Sequence, residues 1–193
     1  MNRIVLASAS PRRKELLLKY NVKPIIIESK IDEKISQDEI AEQIAMALSF
    51  EKAIQVAKQF DKGEIIIGAD TIVTYQGKIL GKPKSQTEGK DMLRFLSGKE
   101  HEVITGISII KANTDIKIID YERTKVKFRE LTDEKIENYI NTKEYIDKAG
   151  GYAIQGLGGI LVEYIHGCYF NVIGLPIYKL DSLLERHFDI SLL

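Results

Sequence analysis

A serine-proline step runs into two arginines at Ser10-Pro11-Arg12-Arg13, and Ser8 stands two residues before it. With Pro11 as the first helical residue and Ser10 as the cap, Arg12, Arg13 and Lys14 crowd a helix N-terminus. Cations there oppose the helix dipole, at about 0.3–1 kcal/mol each when exposed. The same N-terminus offers unpaired backbone N–H groups and is an anion site. Guanidiniums that grip phosphate oxygens in bidentate fashion therefore fit a phosphate chain, and Ser8 and Ser10 add hydroxyl donors. A solvated basic turn accounts for the arginines equally well, and this segment alone leaves both readings open.

Asp70 follows Ile65-Ile66-Ile67-Gly68-Ala69 and precedes Thr71-Ile72-Val73, so a carboxylate sits inside an apolar, β-rich run. That is costly without a cation or metal to compensate it, and Gly68 allows another backbone or a ligand to approach closely. The suitable chemistry is a general base or a divalent-metal ligand; a turn residue at a strand end is the plain alternative. On a long helix ending near Phe60, steps of about 100° per residue place Ile40, Ile44, Ala47, Leu48 and Ile54 on the buried arc. Glu51 then falls near the middle of that arc and Lys52 inside its edge. The pair forms an internal ion pair or lines a cleft where the core opens.

Lys82, in Gly81-Lys82-Pro83, is a cation on a pre-bent loop, suited to a phosphate or a base carbonyl, and otherwise a solvated lysine. Glu33 is a hard-metal ligand or a surface acid. The glycine-rich stretch from Gly150 to Gly159 carries Gln155, whose amide can meet a nucleobase edge. Its glycines miss the dinucleotide fingerprint, because Leu161 stands where the third glycine belongs, and no GxxxxGK[ST] phosphate loop is present. His101, His166 and His187 are scattered without ligand spacing, and there is no G-x-S-x-G elbow. What remains is an oxygen-ligand metal, Mg²⁺ or Mn²⁺, shared between carboxylates and the substrate's own phosphates.

These residues need elements to hold them. The 193 residues suffice for one α/β domain, or two lobes sharing a cleft. Lys plus Arg and Asp plus Glu are both 28, a balance that disfavours a general nucleic-acid binder. The single Cys168 excludes an intramolecular disulfide and fits a reducing compartment. With no apolar run of about 20 residues, no membrane partner is expected and the cytoplasm is the default location. The pattern predicts a strand at Ile4–Ala7, a helix from Pro11 to Tyr20 and a strand at Lys23–Glu28. Next come a polar loop from Ser29 to Gln37 and the long helix, with capping-box spacing at Ser36 and Glu39. A strand over Glu64–Thr74 precedes a turn at Gln76-Gly77 and a helix capped at Ser85. The runs Glu102–Ile110 and Ile116–Phe128 read as a hairpin, Thr132 as a cap, Ile160–Ile165 with Tyr169–Ile173 as a second hairpin, and Pro176–Arg186 as a last helix.

Read together, these segments resemble the Maf family of nucleotide pyrophosphatases. The resemblance rests on Leu6-Ala7-Ser8-Ala9-Ser10-Pro11-Arg12-Arg13, Phe50-Glu51-Lys52-Ala53, Gly68-Ala69-Asp70-Thr71-Ile72-Val73, Gly81-Lys82-Pro83, Asp147-Lys148-Ala149-Gly150 with Ile154-Gln155-Gly156, and Asn171-Val172-Ile173-Gly174-Leu175-Pro176. It covers nearly the whole chain, and joint order and spacing make it specific. It implies an elongated α/β fold with a mixed sheet, flanking helices and two lobes around a central cleft, related to the inosine-triphosphate pyrophosphatases. It also implies a divalent cation and, often, a homodimer. The forms around Asp70 and Gln155 look like the branch that hydrolyses dTTP and UTP to monophosphate and pyrophosphate, a house-cleaning of nucleotide pools. By that carry-over Asp70 is the proton acceptor, and Arg12, Thr71 and Gln155 influence base choice. Ser8, Arg13, Glu33, Lys52 and Lys82 complete the phosphate and metal site, with Glu33 and Asp70 toward the metal. Gly151 stands where the family has alanine, Cys168 replaces a small residue, and Glu144-Tyr145-Ile146 lacks an expected proline. The alternative is a nucleotide-sensing regulator that acts on cell division without turnover.

Overall fold

In the computed structural model, residues 3–20, 22–31 and 40–193 are described. Strand β1 (Ile4–Ala7) leads into helix α1 (Pro11–Lys19), and strand β2 (Ile25–Ile26) precedes helix α2 (Ala41–Ala57). Strands β3 (Ile65–Tyr75) and β4 (Lys78–Leu80) are joined by Gln76 and Gly77, both at positive φ as a tight hairpin turn requires. Helix α3 (Gln86–Leu96), the hairpin β5 (Glu100–Lys111) and β6 (Lys117–Phe128), and helix α4 (Asp133–Asn141) follow. Two 3-10 turns, Ala149–Gly151 and Gly156–Leu161, precede strand β7 (Val162–His166) and helices α5 (Tyr169–Ile173) and α6 (Ile177–Phe188). The caps foreseen at Ser85 and Thr132 form: their hydroxyl oxygens accept from Glu88 N–H at 3.1 Å and Lys135 N–H at 3.2 Å. No helix among the described residues is long and apolar enough to cross a membrane.

The structure departs from the sequence pattern at several points. Tyr169–Ile173 is a helix, not the second strand of a hairpin; Gly174 closes it in the left-handed conformation at φ 115°. A five-residue apolar run has too little length to separate the two periodicities. The second strand shrinks to Ile25–Ile26, since only these residues find a ladder on β1. Ser10 takes the cap position of α1 without a side-chain cap bond. Glu51 is exposed, and the buried face of α2 runs instead through Ile44, Ala45, Leu48, Ser49, Ala53, Val56 and Ala57. Glu33 and the capping-box spacing at Ser36 and Glu39 lie outside the described residues.

The rotation of α2 has a steric cause. A Cβ added to Gly68 would sit 2.2 Å from Ser49 O, and one added to Gly106 would sit 2.1 Å from Ala45 O. The two glycines let the helix backbone lie directly on the sheet, with Ala45, Ser49 and Ala53 at the points of closest approach.

The sheet is mixed, in the order β2-β1-β3-β5-β6-β7, with β4 pairing β3. Strand β1 lies parallel to β2 and β3, while β3, β5, β6 and β7 pair antiparallel. One face is covered by α2, packed on Val5, Ile66, Ile72, Ile104 and Ile110. The other face carries two separate cores. One gathers α1, α5 and α6 around Leu6, Ile67, Ile107 and Ile109; the second gathers α3 and α4 around Val73, Val103, Val126 and Phe128. Two lobes thus share one sheet, as the resemblance implies.

Between the lobes the edge of β3 is open. Strand β1 pairs with it as far as Ala7 opposite Gly68, and β4 joins only at Val73. Residues 69–72 lie in the interval, where the chain leaves β1 to start α1. A crevice beyond the carboxyl end of a parallel strand is where α/β sheets bind ligands, and Asp70 and Thr71 stand in it.

Candidate active site

A cleft of about 660 Å³ fills this gap, within the usual size of small-molecule sites. Ser8, Arg12, Arg13, Lys52, Asp70, Thr71, Lys82 and Gln155 all line it. Of the site residues expected from the resemblance, Glu33 is not placed, because it lies outside the described part.

Alternation along β3 sends Asp70 and Thr71 to opposite faces, and each meets a cation from a different helix. On the α2 face, Lys52 Nζ donates to Asp70 Oδ1 at 2.5 Å, with both side chains mostly buried (11% and 13% exposed). Lys52 therefore pairs with Asp70 and not with its neighbour Glu51. The cross-strand neighbour of Asp70 is Gly106, so the glycine that admits α2 also brings Lys52 within reach.

On the other face Arg13 is buried. Its Nε donates to Gly174 O at 2.7 Å, Nη1 to Ser8 Oγ at 3.1 Å and Nη2 to Thr71 Oγ1 at 3.0 Å. Ser8 Oγ also accepts from Ser10 N–H at 3.2 Å. With both lone pairs so engaged, the hydroxyl proton of Ser8 is the part left to point elsewhere. Ser8 lies on the cleft wall and is thus built as a donor, which suits an anionic oxygen.

More positive charge converges at the lobe opposite α1. Gly150 N–H donates to Gly81 O at 3.0 Å, which staples the Lys82 loop to the segment carrying Lys148 and Gln155. Lys148 also lines the cleft, and its pKa is lowered by burial and then by the charges of Arg12 and Lys82. Burial likewise lowers the pKa of Arg12. Cations held close enough for Arg12 and Lys82 to depress Lys148 are arranged for a polyanion between them. Lys148 belongs to the Asp147-Lys148-Ala149-Gly150 segment, and nothing in its local pattern separates it from a surface lysine. Lys14, the third cation of the first turn, is exposed. Among the described residues no three His, Cys, Asp or Glu side chains group as a metal cage.

The Gln155 loop is anchored from below. Glu144 accepts from Leu157 N–H at 3.1 Å and Gly158 N–H at 3.3 Å, while Tyr139 OH accepts from Ala153 N–H at 3.2 Å. Burial pushes the Tyr139 pKa up to about 12, which keeps its hydroxyl neutral. Tyr152, on the cleft wall, shares a hydrogen bond of 2.8 Å with His101 Nε2. His101 is 1% exposed, and burial lowers its pKa from 6.5 to about 4. Between those values the unfolded chain binds a proton that the folded chain refuses, so stability falls as pH drops from 6.5 toward 4. The loss reaches about 3 kcal/mol from this residue. Denaturant melts across that range should show the decline in the parent and a shallower one in His101→Gln; equal slopes would contradict the assignment.

A family model described as "Maf-like protein" matches residues 3–187. The chain is 51% identical over 189 residues to a dTTP/UTP pyrophosphatase of Clostridioides difficile (strain 630), covering 98% of this chain and 97% of the relative. It is 51% identical over 193 residues to a dTTP/UTP pyrophosphatase of Alkaliphilus oremlandii (strain OhILAs), covering all of both chains. A dTTP/UTP pyrophosphatase of Thermoanaerobacter sp. (strain X514) is 50% identical over 191 residues, 99% of this chain and 100% of the relative. A cleft lined by the segments that carry the resemblance, and matches that run nearly end to end, lead to one conclusion: the chain belongs to the Maf-like protein family.

Proposed function

We propose that the cleft hydrolyses dTTP and UTP, and modified pyrimidine triphosphates of the same shape, between the α and β phosphates. The carrying observation is the Asp70–Lys52 pair at the gap in β3, facing cations from α1 and the Lys82 loop. Breaking a phosphoanhydride requires positioning and charge neutralisation more than covalent chemistry. Arg12, Arg13, Lys52, Lys82 and Lys148 supply the positive charge, and Ser8 donates to a phosphate oxygen. Asp70 takes the proton of the attacking water as its oxygen closes on the α phosphorus. Lys52 holds that carboxylate in place at 2.5 Å. The lone pair of the water oxygen forms the new bond to phosphorus, the electrons of the breaking P–O bond pass to the bridging oxygen, and pyrophosphate leaves.

The donor set fits a hard divalent cation, Mg²⁺ or Mn²⁺. Such an ion takes one or two carboxylates and completes its shell with phosphate oxygens and water. Asp70 would hold it on the protein side, with Glu33 as the second acid assigned by the resemblance. Bound there, the ion neutralises phosphate charge. The substrate is a free nucleotide and not a nucleic acid strand, since the chain has no net charge and Arg12, Arg13, Lys52, Lys82 and Lys148 line one cleft of small-molecule size. Gln155 and Arg12 line the same cleft, and the resemblance assigns both an influence on base choice. A mismatched base leaves such buried polar groups unpaired, which gives selectivity.

Incubation with a panel of triphosphates and Mg²⁺ tests the reading. The expected result is monophosphate and pyrophosphate from dTTP and UTP, at least about 100-fold faster than from dATP or dGTP. Preference for a purine triphosphate would overturn the base assignment, and tight nucleotide binding without pyrophosphate release would favour a sensor.

A further inference from the structure

Two of the bonds that fix Arg13 lead back to the short helix α5. Its Nε donates directly to the carbonyl of Gly174, the residue that closes α5. Its Nη2 donates to Thr71 Oγ1, which lies 3.0 Å from Thr105 Oγ1. Thr105 Oγ1 lies 3.0 Å from Asn171 O in α5. A carbonyl only accepts, so Thr105 must spend its one proton on Asn171. Thr71 must then donate to Thr105, and its own proton is spent as well. The direction of the whole chain is fixed: Arg13 to Thr71 to Thr105 to Asn171.

The far end is equally determined. Asn171 Nδ2 donates to Val103 O and to Thr124 Oγ1, both at 2.9 Å. Thr124 Oγ1 accepts from Cys168 N–H at 3.0 Å and donates to Cys168 O at 3.1 Å. Thr105, Thr124 and Asn171 are each 0% exposed, so no water competes for these bonds. A Cβ at Gly174 would lie 3.1 Å from Thr71 Oγ1 and 3.5 Å from Arg13 Nε, so the glycine keeps the same junction clear.

We propose that Thr105 and the Asn171 carbonyl are positioning elements that, through Thr71, hold the Arg13 guanidinium in the plane that receives the phosphate chain. Thr71 serves Arg13 and has no proton to offer a base carbonyl. Its influence on substrate choice runs through where Arg13 places the phosphates. The phosphate part of this inference rests on the pyrophosphatase reading above; the hydrogen-bonded chain does not.

Two measurements separate them. Exchange of the Arg13 guanidinium protons, those on Nη2 above all, read by NMR in the ligand-free protein and assigned by their loss in Arg13→Lys, reports the clamp itself. It should quicken about tenfold in Thr105→Val, which keeps the shape and removes the hydroxyl, and return to the parent rate in Thr105→Ser. Thr71→Val breaks the next link and should do the same, so the test survives a Thr105 variant that does not fold. Turnover of dTTP should show KM raised about tenfold in Thr105→Val with kcat within about threefold, and no added effect in an Arg13→Lys background. Unchanged Arg13 exchange in these variants would overturn the proposal. So would a Thr71→Val protein with altered base preference and parent-like exchange, since Thr71 would then read the base directly. Faster exchange in the variants, beside a parent that releases no pyrophosphate, would uphold the clamp and overturn the pyrophosphatase reading.

Discussion

Asp70→Asn is expected to lower kcat for dTTP by about 10³-fold, with nucleotide affinity changed only a few-fold. General base assistance accounts for about 10²–10⁴ in rate, and asparagine keeps the shape while removing the basic oxygen. Lys52 can still donate to the amide oxygen, so the local hydrogen bond at 2.5 Å has a successor and the fold persists. Steady-state kinetics with a binding measurement on the variant checks this. A parent-like kcat would remove Asp70 from the reaction and reduce its pair with Lys52 to a buried ion pair, which by itself is weak evidence of anything but structure.

Gly106→Ala should be the most damaging small substitution outside the cleft. Its new methyl would lie 2.1 Å from Ala45 O and 2.3 Å from Ala45 C, and backbone atoms cannot turn aside as a side chain does. Relief requires lifting α2 from the sheet. Overpacking of this kind costs about 3 kcal/mol, or roughly 10 °C in Tm for a chain of this size. Because Gly106 is the cross-strand partner of Asp70, lifting α2 also draws Lys52 away from the carboxylate. Activity should therefore fall even at temperatures where the variant is folded. Thermal melting and assays well below Tm test both halves; a melt within about 2 °C of the parent would show that α2 is held by other contacts.

What the sequence made legible were anomalies. An acid among isoleucines at Asp70, two arginines at a helix N-terminus and a lysine near an apolar arc at Lys52 each broke a local rule, and all three line the cleft. Rule-abiding residues stayed hidden. Thr105 and Thr124 look like ordinary strand formers, and only the register that brings β5 between β3 and α5 reveals their bonds. Asn171 lay in a run too short to separate helix from strand. Glu51 was misplaced because the face of α2 is set by Gly68 and Gly106, which are distant in sequence and leave no trace in the helix's own periodicity. The strand order itself, and hence the gap in β3 that makes the crevice, arises from pairings that no local pattern contains.

The most direct measurement of where the cleft acts is turnover of dTTP in heavy-oxygen water, followed by mass analysis of both products. Attack at the α phosphorus, beside Asp70, predicts the heavy oxygen in the monophosphate and none in the pyrophosphate. Label in the pyrophosphate, or orthophosphate as the released product, would contradict the account.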